Sequence, residues 1–294
     1  MRMSKIILIV GSTATGKTAL SLKLAKKLNA SIINADSTQI YKEPIIATAK
    51  IRENEKEGIP HYMMDLISLN DDYTLYDYQK EGRKVLDKLI NENKNVIIVG
   101  GSGLYVKALL YDYKLDEENN SNIDLSSYSN EELKSMADNI KTNDIHVNNR
   151  QRLERFINQY NNKGYITETT NLRNKKVYDF SIIGLNAPRE IMYKKINDRV
   201  DHMVKNGLLE EAEYLYKQNL KNFKNIIGYK ELIDYFDNKK SLNDALDEIK
   251  KDTRHYAKRQ ITWYKNQFED IKWFETDYDD FNNTINKVEE YLNI

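Results

Sequence analysis

Cysteine is absent from the 294 residues, which excludes disulfide bridges and thiolate metal sites. Long apolar runs are absent as well. No stretch of about 20 apolar residues occurs, so a helix that spans a bilayer is not expected. The opening MRMSKIILIVGS turns polar too soon for a secretory leader. A cytoplasmic chain without a membrane partner is the expectation. Net charge is also missing: 45 Lys and Arg cancel 45 Asp and Glu. That balance leaves nucleic acid open as a partner, because local patches count for more than totals. The four histidines, His61, His146, His202 and His255, lack metal-ligand spacing, and structural roles are expected for them. No internal repeat is visible. What remains is 40% hydrophobic and 31% charged, enough for one large domain or one domain carrying an insert.

The elements follow from period and punctuation. Lys5 to Val10 reads as a buried strand ended by glycine. Gly16 to Leu28 has helical spacing, and Ser31 to Asn34 is a second short strand. A helix over Leu75 to Asn91 leads to another buried strand, Asn95 to Gly101, and Asp179 to Leu185 repeats the strand pattern. Strands alternating with helices predict an α/β fold: a P-loop NTPase-like parallel sheet flanked by helices. Further helices are expected over Arg189 to Lys205, Leu208 to Gln218, Asn225 to Tyr235, Ser241 to Lys265 and Asp279 to Leu292, with IKWFE as a last strand. Residues 114–177 change character. LDEENNSNIDLSSYSNEE is polar, and NRQRLERFINQY is helix-like. This reads as a small, mainly helical insertion into a core made of residues 1–113 and 178–294.

The strongest local signal is GSTATGKT, which comprises Gly11, Ser12, Thr13, Ala14, Thr15, Gly16, Lys17 and Thr18. Glycines in such a loop let backbone N–H groups face an anion, and the following helix start adds partial positive charge. Lys17 reaches toward terminal phosphate oxygens, and Thr18 offers a hydroxyl to Mg²⁺. A kinase or ATPase usually adds an apolar strand ending in Asp to orient that metal. Here NVIIVGGSG ends in glycine. The acid stands instead at Asp36, after the SIIN strand and at the same sheet edge as Lys17. A carboxylate beside a phosphate site repels the anion unless it takes a proton or holds metal. Asp36 is therefore a candidate general base, with a structural helix or turn cap as the alternative.

In order along the chain, GSTATGKT, INADSTQIY, TAK, IPHYMMDLI, VGGSGLYVKALL, IHVNNRQRLER, RVDHMVKNGLLEEAEYL, IGYKEL and DTRHYAKRQITWYKN resemble the bacterial tRNA dimethylallyltransferases, also called tRNA isopentenyltransferases. The likeness covers nearly the whole chain. It implies transfer of a dimethylallyl group from its diphosphate to N6 of the adenosine just 3′ of the tRNA anticodon. The loop from Gly11 to Thr18 would then hold the donor's diphosphate, with Mg²⁺ as cofactor on Thr18, and ATP would not be spent. Lys17, Thr18, Arg199 and Arg254 match residues that stabilise the leaving group. Asp36 matches the base. Asp36, Ser37, Thr38, Gln39 and Ser102 match the segments that touch tRNA beside the target, although the family usually has Met at Thr38 and Thr at Ser102. Gln151, Arg152, Leu153, Glu154 and Arg155 match a tRNA-contacting helix. The target base must be splayed out of a stacked loop to reach the sheet. The insertion between Tyr113 and Asn148 is about 20–30 residues shorter than the family pattern, on the length scale of helical pieces. A monomer acting on the anticodon stem-loop is expected.

Rival readings are a small-molecule kinase, a free-nucleotide (adenylate) isopentenyltransferase and a non-enzymatic nucleic-acid binder. The missing strand-end Asp opposes the first, TRHYAKRQITW opposes the second, and the intact loop with Asp36 opposes the third. On the helix holding TRHYAKRQITW, Lys251, Arg254, Lys258 and Lys265 share one face. Leu246, Ile249, Tyr256 and Trp263 share another, expected to pack on the sheet.

Overall fold

A computed structural model describes residues 4–115, 122–166 and 174–294. The chain runs through β1 (Ile6–Gly11), α1 (Lys17–Leu28), β2 (Ala30–Asn34), β3 (His61–Tyr62), α2 (Leu75–Asn91), β4 (Asn95–Val99) and α3 (Gly103–Leu110). The segment 114–177 holds α4 (Asn130–Ile140) and α5 (Arg150–Lys163). Then come β5 (Ser181–Asn186), α6 (Arg189–Lys205), α7 (Leu208–Lys217), α8 (Ile233–Phe236), α9 (Leu242–Gln267), β6 (Lys272–Glu275) and α10 (Phe281–Leu292).

The six strands form one sheet in the order β3-β2-β4-β1-β5-β6, and every neighbouring pair is parallel. All six residues of β1 are buried, because helices cover both faces of the sheet. Alternate residues of β1 serve opposite layers. Ile6, Leu8 and Val10 join Tyr78, Leu86, Val106 and Tyr264 from α2, α3 and α9. Ile7 and Ile9 join Leu20, Leu24, Ile285 and Val288 from α1 and α10. A third cluster, with Val200, Leu208, Leu215, Phe223, Tyr229 and Ile249, packs α6, α7 and the start of α9 on one another. The helices α4 and α5 close around their own core of Leu125, Leu133, Ala137, Ile145, Leu153 and Ile157.

The core strands lie where the periodicity puts them. Three departures have local causes. Residues Asn225 to Tyr235 are not one helix: two 3-10 turns, Phe223–Asn225 and Lys230–Leu232, precede the single turn of α8. Gly228, at φ +99°, breaks the run, since the left-handed region is foreign to a helix. The strand β3 has only two residues, too few for a period. On α9 the buried stripe is Ala245, Ile249, Ala257, Gln260 and Tyr264, rotated from the expected Leu246, Ile249, Tyr256 and Trp263. A glutamine thus occupies a core-facing position, and Trp263 is only half-buried.

Candidate active site

The loop after β1 is shaped by backbone constraints. Gly11 sits at φ +140°, and a Cβ there would come within 2.3 Å of the Leu185 carbonyl oxygen on β5. Ala14 (φ +63°) and Gly16 (φ +84°) also lie in the left-handed region, and the Phe281 ring would meet a Cβ at Gly16 at 2.5 Å. The loop's carbonyls are engaged by the protein. Tyr278 donates to the Ala14 carbonyl at 2.9 Å, Thr276 to that of Thr15 at 3.0 Å, and Thr15 Oγ1 to that of Ser12 at 2.8 Å. Ser12 Oγ donates to Met192 Sδ, and Thr13 N–H donates to Gln260 Oε1 at 2.9 Å. Among the described residues, the N–H groups of residues 14–18 find no protein acceptor. Five unspent amides at a helix start form an anion cradle.

Cations and one carboxylate converge on this cradle. Lys17 Nζ donates to the Ser12 carbonyl at 2.5 Å. Burial lowers its pKa to about 8; the negative charge of Asp36 opposes that shift and the Arg199 guanidinium adds to it. Burial likewise lowers Arg199, again opposed by Asp36. These three side chains therefore sense one another, although they come from α1, α6 and the segment after β2. Arg199, with its intrinsically high pKa, keeps its proton through the physiological range.

Asp36 is locally braced. Its N–H donates to Asn34 Oδ1 at 3.2 Å, and Asn34 Nδ2 donates to the Asp36 carbonyl at 3.1 Å. Its Oδ1 accepts from the Thr38 N–H at 2.9 Å and the Thr38 hydroxyl at 2.7 Å. Its Oδ2 is left toward Gly101, where an added Cβ would lie 3.6 Å away. Ser102 stands just before α3 and makes no capping bond to it; its Oγ accepts from Ser37 N–H at 2.9 Å and donates to Ser37 Oγ at 3.0 Å. Gln39 donates to the Thr48 carbonyl at 3.1 Å. Tyr105 and Tyr256 line the same region, and burial, reinforced by the charge of Asp36, pushes both phenols well above their ordinary range. They are neutral hydrogen-bonding groups there. The result is a cationic, amide-lined half facing a carboxylate-bearing, hydroxyl-rich half.

The IPP transferase family matches residues 39–267. A tRNA dimethylallyltransferase of Enterococcus faecalis is 40% identical over 283 residues, covering 92% of each chain. The chain belongs to the IPP transferase family. A tRNA dimethylallyltransferase of Bacillus subtilis is also 40% identical, over 92% of this chain and 90% of its own. The crystal structure of a tRNA isopentenylpyrophosphate transferase from Staphylococcus epidermidis superposes with a TM-score of 0.75, at 34% identity over 99% of both chains. A eukaryotic dimethylallyltransferase acting on tRNA gives 0.79 at 25% identity, over 99% of this chain and 80% of that one. The phosphate-binding loop precedes the family match, so its assignment stands on the geometry above.

Within this family frame, the residues singled out in the sequence fall into three groups. Lys17, Asp36 and Arg199 lie within reach of one another's charge, and Ser37, Thr38 and Ser102 are hydrogen-bonded beside Asp36, whereas Gln39 is tied to the Thr48 carbonyl. Arg254 instead donates to Asn197 Oδ1 at 2.7 Å and lies over the Tyr193 ring. Both partners are on α6, the helix that carries Arg199. The α5 residues lie apart on the insertion. Gln151, Arg152 and Arg155 are exposed, and Glu154 pairs with Arg150 at 2.7 Å. Leu153, expected among the tRNA contacts, is a correction. It is 0% exposed and fills the insertion's core, because it sits on the apolar side of an amphipathic helix.

Gln260, Thr276 and Tyr278 were not foreseen. Each holds the loop from about 250 residues away in sequence, a distance at which spacing carries no signal. The one available clue was a glutamine three residues after Ala257 and four before Tyr264, in line with an apolar stripe. Among the described residues, no cluster of three or more His, Cys, Asp or Glu could hold a metal. A Mg²⁺ fits the exposed Thr18 hydroxyl only if substrate and water fill its other positions, which is how Mg²⁺ commonly binds beside phosphates.

Proposed function

We propose that this chain transfers a dimethylallyl group from dimethylallyl diphosphate to N6 of the adenosine 3′-adjacent to the tRNA anticodon, giving N6-isopentenyladenosine and diphosphate. One observation carries the reading: an anion cradle with Lys17 and Arg199 lies near enough to a carboxylate braced by Thr38, Asp36, for their charges to act on one another. As the allylic C–O bond breaks, negative charge grows on the leaving diphosphate. The unspent amides, Lys17 and Arg199 stabilise it in place, without reorganisation at the moment of reaction. Mg²⁺, held by the Thr18 hydroxyl and the donor's phosphates, would add further positive charge to the leaving group. Adenine N6 is a weak nucleophile because its lone pair is delocalised. As N6 bonds to the allylic carbon it must lose a proton, and Asp36 Oδ2 is the acceptor left by the Thr38 bonds. Ser37, Gln39 and Ser102 hold the splayed adenosine beside it.

A kinase reading fails for want of the strand-end acid, since Gly100 and Gly101 follow β4. No helix among the described residues is long and apolar enough to cross a membrane. The test offers labelled dimethylallyl diphosphate with Mg²⁺ to unmodified tRNA, AMP and ATP in parallel. Label on tRNA alone is expected. Label on AMP with none on tRNA would make the chain a free-nucleotide prenyltransferase.

A further inference from the structure

The two halves of the cleft belong to different parts of the chain, and one buried side chain touches both. Gln260, on α9, is 6% exposed. Its Oε1 accepts the Thr13 N–H of the phosphate loop at 2.9 Å, while its Nε2 donates to the Gly101 carbonyl at 3.0 Å. Gly101 directly precedes Ser102, the hydroxyl that fixes Ser37 next to Asp36. The same face of α9 reinforces the contact. Tyr264 donates to the Gly100 carbonyl at 3.3 Å, and the Trp263 ring covers Gly103 so closely that a Cβ there would meet it at 2.1 Å. A primary amide can accept from one backbone with its oxygen and donate to another with its nitrogen at once. It spends Thr13 N–H, which is therefore not part of the anion cradle. A glutamine on an otherwise apolar stripe costs stability unless both ends are satisfied, and here both are.

We propose that Gln260 is a positioning residue that sets the spacing between the donor loop and the acceptor side of the cleft. The inference rests on the transfer reading above. Its two bonds fix where the leaving group sits relative to the hydroxyls and carboxylate that hold the adenosine. Alignment of two bound reactants governs the rate once both are bound, and a misplacement of about 1 Å costs up to about 100-fold. Neither bond touches substrate, so affinity for each substrate alone is governed elsewhere.

The experiment measures kcat and both KM values for prenyl transfer to unmodified tRNA, with thermal melting as a fold check. Two variants are used. Gln260→Met keeps the length and removes both hydrogen bonds. Gly101→Ala keeps the glutamine at 260 but places a Cβ 2.1 Å from its Nε2, so the amide must shift from its bond to the Gly101 carbonyl. Both are expected to lower kcat by about 10- to 100-fold, with the KM for donor and for tRNA within about threefold of wild type. Since Gln260 acts through the Gly101–Ser102 segment, Gln260→Met combined with Ser102→Ala should lose less than the product of the two single losses. An unchanged kcat in a folded variant, a loss confined to donor KM, or strictly multiplicative losses would overturn the proposal. Gly101→Ala keeps the test decisive if Gln260→Met does not fold. No transfer to tRNA by the wild-type chain would instead overturn the functional reading beneath it.

Discussion

Replacing Asp36 by Asn separates two jobs of one side chain. Oδ1 accepts two bonds from Thr38, and an asparagine oxygen can keep both. The loop from Ser37 to Gln39 should therefore stay in place. Oδ2 becomes an amide NH₂, which cannot take a proton from adenine N6. General base catalysis is worth about 10²–10⁴ in rate, or about 3–5 kcal/mol of barrier at 1.36 kcal/mol per tenfold. A second effect acts on Lys17. The Asp36 charge supports the Lys17 ammonium, whose pKa is already lowered to about 8 by burial, so its loss lowers that pKa further. Measurement at a pH well below 8 keeps Lys17 protonated and isolates the proton-acceptor effect. Donor affinity there should hold or improve, because a carboxylate near the diphosphate has gone. The assay is single-turnover transfer of labelled prenyl to unmodified tRNA, with donor binding followed separately. A variant within about threefold of wild-type rate at that pH would remove Asp36 from the role of base.

Three further outcomes are expected. Donor capture, read as kcat/KM for the diphosphate, should fall as pH rises through about 8 in the free enzyme. The protonated Lys17 is the binding form, and its pKa lies near 8 rather than 10.5; a profile flat to pH 10 would contradict this. Leu153→Ala should destabilise the α4–α5 unit by about 2–5 kcal/mol, as for a fully buried leucine. Faster amide exchange within residues 122–166 and unchanged donor binding are the readouts. Replacing exposed Lys251 and Lys258 together by Ala should weaken tRNA binding at low salt and reduce the slope of log K against log salt by about 0.7–0.9 per lost contact. An unchanged slope would return both lysines to ordinary surface.

Much of the candidate site was legible because it is local. Gly11, Gly16, Lys17 and Thr18 announce themselves within eight residues, and Asp36 follows the apolar strand whose end it shares. The sheet was legible because its strands are buried on both faces and read as continuous apolar runs. The supports were not. Gln260 looks like a flaw in the α9 stripe until Thr13 and Gly101 are seen at its two ends. Tyr278 and Thr276 reach Ala14 and Thr15 from beyond β6. Arg199 was legible only through the resemblance carried by RVDHMVKNGLLEEAEYL; its burial beside the charges of Lys17 and Asp36 is what the structure adds. Leu153 shows the reverse error, in which a motif match placed at the RNA a side chain that helical spacing assigns to the core.

The most direct test of the account is nucleoside mass spectrometry on unmodified tRNA bearing adenosine at the third anticodon position and at the next nucleotide. The tRNA is incubated with the chain, dimethylallyl diphosphate and Mg²⁺, then digested and mapped. One dimethylallyl group per tRNA is expected, on N6 of the adenosine 3′ to the anticodon, with no ATP requirement and no tRNA-independent ATP hydrolysis. Unaltered tRNA accompanied by robust ATP turnover would contradict it.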